Sequence, residues 1–360
     1  MYIKDYTPYS ILITMKLAVF SAKAYDRAYL EATRPTYPHL HIDYHSFALT
    51  QETVSLARDC DAVCVFVNDT LDAPVLHALH ASGVRAILLR CAGFNHVDLP
   101  TAESLNLFVA NVPAYSPEAV AEFAVTLVQT LNRATHRAYN RVREGNFNIE
   151  GLLGSTLHGK TVGLIGVGRI GLATARIFQG FGCRILAHDP FASTEEFRPY
   201  GTLVDLDTLL RESEVVSLHC PLNEGTRHLI NADTLAKIRP GAILVNTSRG
   251  GLIDSSAVIA ALKTKRLGGL ALDVYEAESE LFYNDHSGEI IHDDVLARLL
   301  TFPNVIVCSH QGFFTKEALT EIAGVTLGNL DDFVNARKCA NSLVAHGHVL
   351  VKEDSAPVRL

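Results

Sequence analysis

The stretch Gly163-Leu164-Ile165-Gly166-Val167-Gly168-Arg169-Ile170-Gly171 decides the fold, and it reads as the end of a strand, a tight turn and the start of a helix. Gly166 permits the sharp turn, Gly168 lets the backbone approach a pyrophosphate, and Gly171 lets the helix pack against the strand. The helix N-terminus, beginning at Arg169 and Ile170, offers unpaired N–H groups and a partial positive charge to phosphates. Glycines at this spacing are weak evidence alone, since they also punctuate ordinary loops. Here an apolar run, 161–166, precedes them and a helical pattern, 170–178, follows. A second strand pattern, 184–187, then leads to Asp189, which lies 23 positions beyond Gly166, where an acceptor for a ribose hydroxyl is expected. Asp189 before Pro190 could be a turn residue, but that reading does not explain the glycines and the acid together. A carboxylate there repels a 2′-phosphate, so the expected cofactor is NAD and not NADP.

Outward from this motif, short apolar runs alternate with helical patterns over most of the chain. The runs are 16–20, 62–67, 86–89, 162–165, 184–187, 215–218, 243–246, 269–272 and 305–308. Apolar runs separated by helices indicate parallel sheets covered on both faces. One long helix is expected over 116–145. Ser116 suits the N-cap and Pro117 the first helical position. Val120, Phe123, Ala124, Leu127, Val128 and Leu131 make an apolar stripe along it. The arginines at 133, 137, 141 and 143 read as a solvated face near the C-terminal dipole. The expected fold is α/β, with two doubly wound αβ domains joined by crossover helices near 112–116 and 311–313. The domains would comprise 15–113 with 312–345, and 114–311.

The chain has 360 residues, enough for two domains, and its 48% hydrophobic and 19% charged residues can build substantial cores. A formal charge of −8 gives no reason to expect nucleic acid or an acidic membrane as a partner, since both call for basic patches. No apolar run approaches the roughly 20 residues needed to cross a bilayer. The seven cysteines, Cys60, Cys64, Cys91, Cys183, Cys220, Cys308 and Cys339, form no CxxC pair. They suit reduced thiols in a cytoplasmic protein better than disulfides or a zinc site, and no metal is expected. Residues 1–14, which precede a second methionine, Met15, read as an extension outside the fold, and 346–360 as a loose tail.

An NAD-dependent reduction of a carbonyl substrate that carries a carboxylate would make three demands. A cation must hold the carboxylate, a proton donor must meet the developing alkoxide, and the donor must be tuned towards neutrality. Arginine, histidine and a carboxylate beside the histidine meet them. All three residue types occur after successive strand patterns, where open αβ sheets place ligands. Arg249 follows 243–246, Glu276 and Glu278 follow 269–272, and His310 follows 305–308. Singly each has a plainer reading: a surface arginine, a solvated acidic turn, and one histidine among 16.

The stretches Arg90-Cys-Ala-Gly-Phe-Asn-His-Val-Asp98, Asn111-Val-Pro-Ala-Tyr-Ser-Pro-Glu-Ala-Val-Ala-Glu122, Gly166 to Gly171, Ser217-Leu-His-Cys-Pro-Leu222, Val245-Asn-Thr-Ser-Arg-Gly250 and Asp273-Val-Tyr-Glu276 resemble the D-2-hydroxyacid dehydrogenase family, most closely its D-lactate dehydrogenase branch. The likeness runs from about Met15 to Val344. It implies a flavodoxin-like substrate domain and a Rossmann NAD-binding domain, with substrate in the cleft between them. It further implies that Arg249 binds the substrate carboxylate, Glu278 pairs with the histidine and His310 is the acid/base. Asp273 would orient the nicotinamide carboxamide, and Cys220, Pro221 and Thr247 would line the cofactor groove. The backbone at Ala92 and Gly93 would receive the substrate carboxylate, and Tyr115 would reach the substrate.

The chain departs from the D-lactate branch at Gln311-Gly312-Phe313, where Gln-Ala-Phe is expected; the glycine would loosen a hinge or enlarge the pocket. The insertion at 281–300, carrying His286 and His292, reads as a surface excursion. The expected activity is reduction of pyruvate to D-lactate with NADH, with a bulkier 2-oxo acid such as phenylpyruvate as the alternative. An NAD-sensing corepressor-like protein shares the fold, but the chain has no basic stripe or interaction arm to support that reading. A glutamine at the position of Glu278 would have indicated a formate dehydrogenase. A homodimer or homotetramer is expected from the resemblance.

Overall fold

The alternating apolar runs become two all-parallel sheets. The computed structural model describes residues 15–278 and 281–344; the expected N-terminal extension and loose tail lie outside them. The chain divides into two units, 15–115 with 316–344, and 116–315.

In the first unit the elements are β1 (Met15–Val19), α1 (Ala24–Thr33), β2 (Leu40–Tyr44), β3 (Ala62–Val65), α2 (Ala73–Ala81), β4 (Ala86–Leu89), α3 (Leu99–Ser104) and β5 (Phe108–Ala110). Its strand order is β2-β1-β3-β4-β5, a flavodoxin-like arrangement. Strands β3 and β4 are buried at every position, as strands covered on both faces must be. Leu17, Val19, Cys64 and Leu88 pack on Leu30 of α1 and on Ala323, Leu327 and Leu330 of a C-terminal helix that also belongs to this unit. Each fully buried leucine contributes roughly 1.5–3 kcal/mol. Asp72 and Asp98 cap α2 and α3 by accepting from the N–H groups of Val75 and Thr101.

The second unit runs α4 (Pro117–Asn132), α5 (Thr135–Arg143), β6 (Thr161–Ile165), α6 (Arg169–Gly180), β7 (Arg184–His188), α7 (Thr194–Phe197), β8 (Thr202–Leu203), α8 (Leu206–Glu212), β9 (Val215–Leu218), α9 (Ala232–Lys237), β10 (Ala242–Asn246), α10 (Ser255–Lys263), β11 (Leu267–Leu272), α11 (Asp294–Leu300) and β12 (Val305–Val307). Helix α12 (Lys316–Val334) is the one that returns to the first unit. The seven strands lie in the order β8-β7-β6-β9-β10-β11-β12, all parallel, which is the doubly wound Rossmann pattern with one strand added. Alternate residues serve opposite faces. Val215, Val245 and Ala271 pack under α4 and α6, while Val216, Leu244 and Leu270 pack under α8 to α11.

Three expectations need correction or refinement. The single helix over 116–145 is two helices, because Ala134 takes a left-handed conformation (φ 48°) between α4 and α5. The Asn132 side chain there holds Ser155 through bonds of 2.7 and 3.1 Å, and Gly154 lies so close to the Asn132 carbonyl that a Cβ would sit 2.1 Å from it. Two of the arginines are also more than a solvated face. Arg141 donates to the carbonyls of Asn148 and Glu150, and Arg137 to that of Gly151, so they fasten the loop after α5. The insertion at 281–300 is not merely a surface excursion: Phe282, Leu296 and Leu299 are buried in the core of the second unit.

The segment just before the unit boundary at Thr315–Lys316 is held within the second unit. The Asp273 carboxylate accepts from the N–H groups of Gln311 (2.7 Å) and Gly312 (2.8 Å), which ties that segment to β11.

Candidate active site

The glycine turn follows directly from the close approach of two strands. Gly166 ends β6 at φ +93°, and a Cβ built there would meet the Cys220 nitrogen at 2.6 Å and the His219 carbonyl carbon at 2.7 Å. Only glycine satisfies both the backbone angle and the space. Gly168 is the N-cap of α6, and at Gly171 a Cβ would stand 2.3 Å from the Gly166 carbonyl oxygen. Turn and helix are therefore in direct backbone contact. Asp189 braces the turn: Oδ2 accepts from the Val167 N–H at 3.0 Å and Oδ1 from the Phe191 N–H at 2.9 Å. Beside the turn lies a cavity of about 290 Å³ lined by Gly166, Gly168, Asp189, Phe191, Cys220 and Pro221, among others.

Beneath the turn, His219 is fully buried and shares a 2.9 Å hydrogen bond with Ser217 Oγ. Burial pushes its pKa down to about 4, so the ring is neutral. Burial pushes the Cys220 thiol up to about 11, which keeps it protonated and unreactive at neutral pH.

The three expected catalytic residues, Arg249, Glu278 and His310, all follow the neighbouring strands β10, β11 and β12. Asn246 shapes the first loop: it donates to the Arg249 carbonyl at 2.8 Å and accepts from the Ser248 N–H at 3.0 Å. Gly250 then lies against the backbone of Tyr275 and Glu276, where a Cβ would fall within 2.4 Å of three backbone atoms. The half-buried Arg249 donates to the Ser248 carbonyl and, among the described residues, pairs with no carboxylate. Its guanidinium is thus available to an external anion.

Glu278 uses both oxygens. Oε2 accepts from the Tyr275 N–H at 2.9 Å, and Oε1 accepts from His310 Nδ1 at 2.9 Å. This bond fixes the proton on Nδ1 and leaves Nε2 as the nitrogen that can exchange a proton. The backbone is strained at the same place, with Ser309 at φ 54° and His310 at φ 56°. What holds it there is Asp273, whose carbonyl accepts from the His310 N–H at 2.5 Å while its carboxylate binds the next two N–H groups. Burial raises the Asp273 pKa, opposed by the nearby His310 and those two N–H bonds. Gly312 does not loosen this segment. Its N–H is bound, and a Cβ would stand 2.8 Å from Asp273 Oδ2.

In the first unit, Ala92 and Gly93 follow β4. Their carbonyls are held, that of Ala92 by Asn111 Nδ2 at 2.7 Å and that of Gly93 by the Cys91 thiol at 3.2 Å. Asn111 is held in turn by Asn329 of α12, which donates to its carbonyl at 2.9 Å. Tyr115 is half-buried at the end of this unit.

Residues 125–312 match the sequence profile of the D-isomer specific 2-hydroxyacid dehydrogenase NAD-binding domain. The chain is 70% identical over 348 residues to 2-hydroxyacid dehydrogenase A of Aspergillus oryzae, an alignment covering 96% of this chain and 100% of that protein. The chain belongs to the D-isomer specific 2-hydroxyacid dehydrogenase family. It is 63% identical to D-lactate dehydrogenase kk1H of Curvularia clavata, over 92% of this chain and 95% of the relative. The apo structure of D-lactate dehydrogenase from Escherichia coli superimposes with a TM-score of 0.84 at 48% identity, covering 92% of this chain and 100% of that one. The protein is therefore an NAD-dependent oxidoreductase acting on CH–OH donors.

The residues of this dehydrogenase fit NAD. The glycine turn is a cradle that any Cβ would fill, and Asp189 stands beside it. Thr247 Oγ1 is buried with no hydrogen-bond partner among the described residues, so it is open to a bond with a ligand. Sequence reasoning gave no role to Asn246, Ser217, His219 or Asn111, although all four sit inside quoted motifs, because each acts through a contact that the motif does not record. Among the described residues no cluster of His, Cys, Asp and Glu could hold a metal ion, and no helix is long and apolar enough to cross a membrane.

Proposed function

We propose that this dehydrogenase reduces pyruvate to D-lactate, with His310 as acid/base, Glu278 orienting it and Arg249 binding the substrate carboxylate. The observation that carries the reading is the 2.9 Å bond between His310 Nδ1 and Glu278 together with an Arg249 guanidinium that, among the described residues, pairs with no carboxylate. The names of the Curvularia and Escherichia relatives point to the same substrate.

In this reading the backbone at Gly166, Gly168, Arg169, Ile170 and Gly171 holds the pyrophosphate, and Asp189 accepts from a ribose hydroxyl. Cys220, Pro221 and Thr247 line the groove, and Asp273 receives the carboxamide with the lone pairs its two backbone bonds leave over. NADH, when bound, supplies the hydride that reduces C2 of the oxo acid. Arg249 grips the carboxylate with two parallel N–H bonds, which fixes the substrate's orientation. His310 delivers the proton from Nε2 to the carbonyl oxygen, and the positive charge it carries beforehand stabilises the developing alkoxide. Glu278 keeps Nδ1–H fixed throughout. Family resemblance assigns Ala92, Gly93 and Tyr115 to the substrate as well. With its carbonyls tied down, the loop at Ala92 and Gly93 has peptide N–H groups to offer an anion.

NADH oxidation at 340 nm with pyruvate, phenylpyruvate, glyoxylate and 3-phosphohydroxypyruvate tests the reading, with the product analysed for handedness. Fast formation of D-lactate is expected. Preference for a bulkier acid would keep the mechanism and refute the substrate.

The chain is also read as a homodimer or homotetramer in the cytoplasm. Phe147, Ile149 and Leu153 after α5 are 75, 81 and 99% exposed, an apolar loop suited to a second copy. All seven cysteines are free thiols, as suits a reducing compartment. Light scattering of the purified protein decides the oligomeric state.

A further inference from the structure

The Glu278 bond holds the imidazole of His310 by one edge, at Nδ1, and leaves the faces of the ring to other contacts. A second contact lies against the ring. The Tyr283 ring centroid stands 5.9 Å from that of His310, with the planes inclined at 37°.

Three features show that Tyr283 is held there by the fold. The Glu278 carbonyl accepts from the N–H groups of Leu281 (3.1 Å) and Phe282 (2.8 Å), so these residues are fastened to the backbone of the acid that pairs with His310. Phe282 is buried in the core of the second unit, which anchors the residue before Tyr283. Tyr283 itself takes φ 69°, a left-handed conformation that costs a bulky residue free energy and persists only where its surroundings impose it. One short segment therefore supplies both the carboxylate on Nδ1 and the aromatic ring beside the imidazole. An aromatic neighbour suits a group that alternates between neutral and cationic forms, because its face attracts a cation while its body packs against an uncharged ring.

We propose that Tyr283 is a positioning residue for the proton-transfer step: its ring packs against the His310 imidazole and fixes the rotation that aims Nε2 at the substrate carbonyl oxygen. The proposal rests on the reading of His310 as the acid/base. It gives the segment at 281–283 a function in the reaction, acting through His310 and not by touching substrate.

Misplacement of a reacting group by about 1 Å costs up to about 100-fold in rate. Tyr283→Leu, which keeps bulk but removes the ring, is expected to lower kcat about 10- to 100-fold, with KM for pyruvate (or for the best substrate of the panel) and NADH affinity within about threefold of wild type. The solvent isotope effect on kcat should rise, because the proton step becomes slower. Tyr283→Phe should retain wild-type kcat within about threefold, since it preserves the ring contact. Should Tyr283→Leu not fold, Tyr283→Met reads the same quantity.

An unchanged kcat in the ring-less variant would overturn the proposal. So would equal loss in Tyr283→Phe, which would place the effect in the hydroxyl, or a rise in KM at constant kcat, which would make Tyr283 a substrate contact. His310→Gln in the same assay separates the two levels. If it is inactive while Tyr283→Leu is normal, only the positioning role fails; if it is fully active, the acid/base reading fails.

Discussion

Replacing Gly171 by alanine separates what a helix prefers from what the cofactor turn requires. Alanine is the better helix former by about 1 kcal/mol at interior positions, so local propensity alone predicts a slightly more stable protein. The structure predicts damage. The new Cβ would stand 2.3 Å from the Gly166 carbonyl oxygen and 3.1 Å from its carbon, both backbone atoms. Reaching ordinary contact requires a separation of roughly 1 Å more. The turn cannot retreat towards β9, because Gly166 already lies against the backbone of His219 and Cys220. Helix α6 and the turn must therefore part, and the N–H groups at the helix start move with them. Losing one charge-assisted hydrogen bond to phosphate costs about 1.5–3 kcal/mol, or about 10- to 150-fold in NADH affinity. The assay is titration of NADH through its own fluorescence, with the melting temperature measured alongside. Gly180→Ala is the control, since that glycine is in the same helix with nothing within 4 Å of its Cβ position. A dissociation constant for Gly171→Ala within about twofold of wild type would refute the argument from close approach.

Two further perturbations follow from the buried groups. His219 is neutral in the native state, with a pKa lowered to about 4, so between pH 6.5 and 4 the unfolded chain binds a proton that the folded chain does not. Stability should fall as pH is lowered through that window. His219 should account for about 2 kcal/mol of the loss between pH 7 and pH 5, and urea unfolding of His219→Gln should be less steeply pH-dependent by that amount. Identical profiles for the two proteins would exclude the histidine as the cause. Asn111→Ala removes the bond that holds the Ala92 carbonyl, and should raise KM for the oxo acid about 3- to 10-fold while leaving NADH affinity unchanged. An unaltered KM would mean that the loop keeps its shape without Asn111.

The order of the side chains proposed for catalysis was legible because each lies close after a strand in sequence. Glycine spacing, apolar runs and capping residues are local signals, and Gly166, Asp189, Arg249, Glu278 and His310 could all be placed at strand ends from them. The same reasoning made one helix of residues 116–145, because the periodic stripe carries no sign of the break at Ala134. That break is bound to Asn132 holding Ser155, a contact across 23 positions. It also placed 281–300 at the surface, since the polar runs 284–289 and 292–294 do not announce that Phe282 before them and Leu296 and Leu299 after them are buried in the core.

The sequence by itself determined the αβ alternation, the cofactor turn and the residue types at the strand ends, all properties of neighbours along the chain. Only the tertiary structure decided which groups hold those residues in place: Asp273 on the backbone after His310, Asn111 on Ala92, Asn329 on Asn111 and Tyr283 on the imidazole. The physical reason is that hydrogen bonds and ring contacts are satisfied by whatever the fold brings within reach. Asn329 and Asn111 are 218 positions apart, and no local pattern records that they meet.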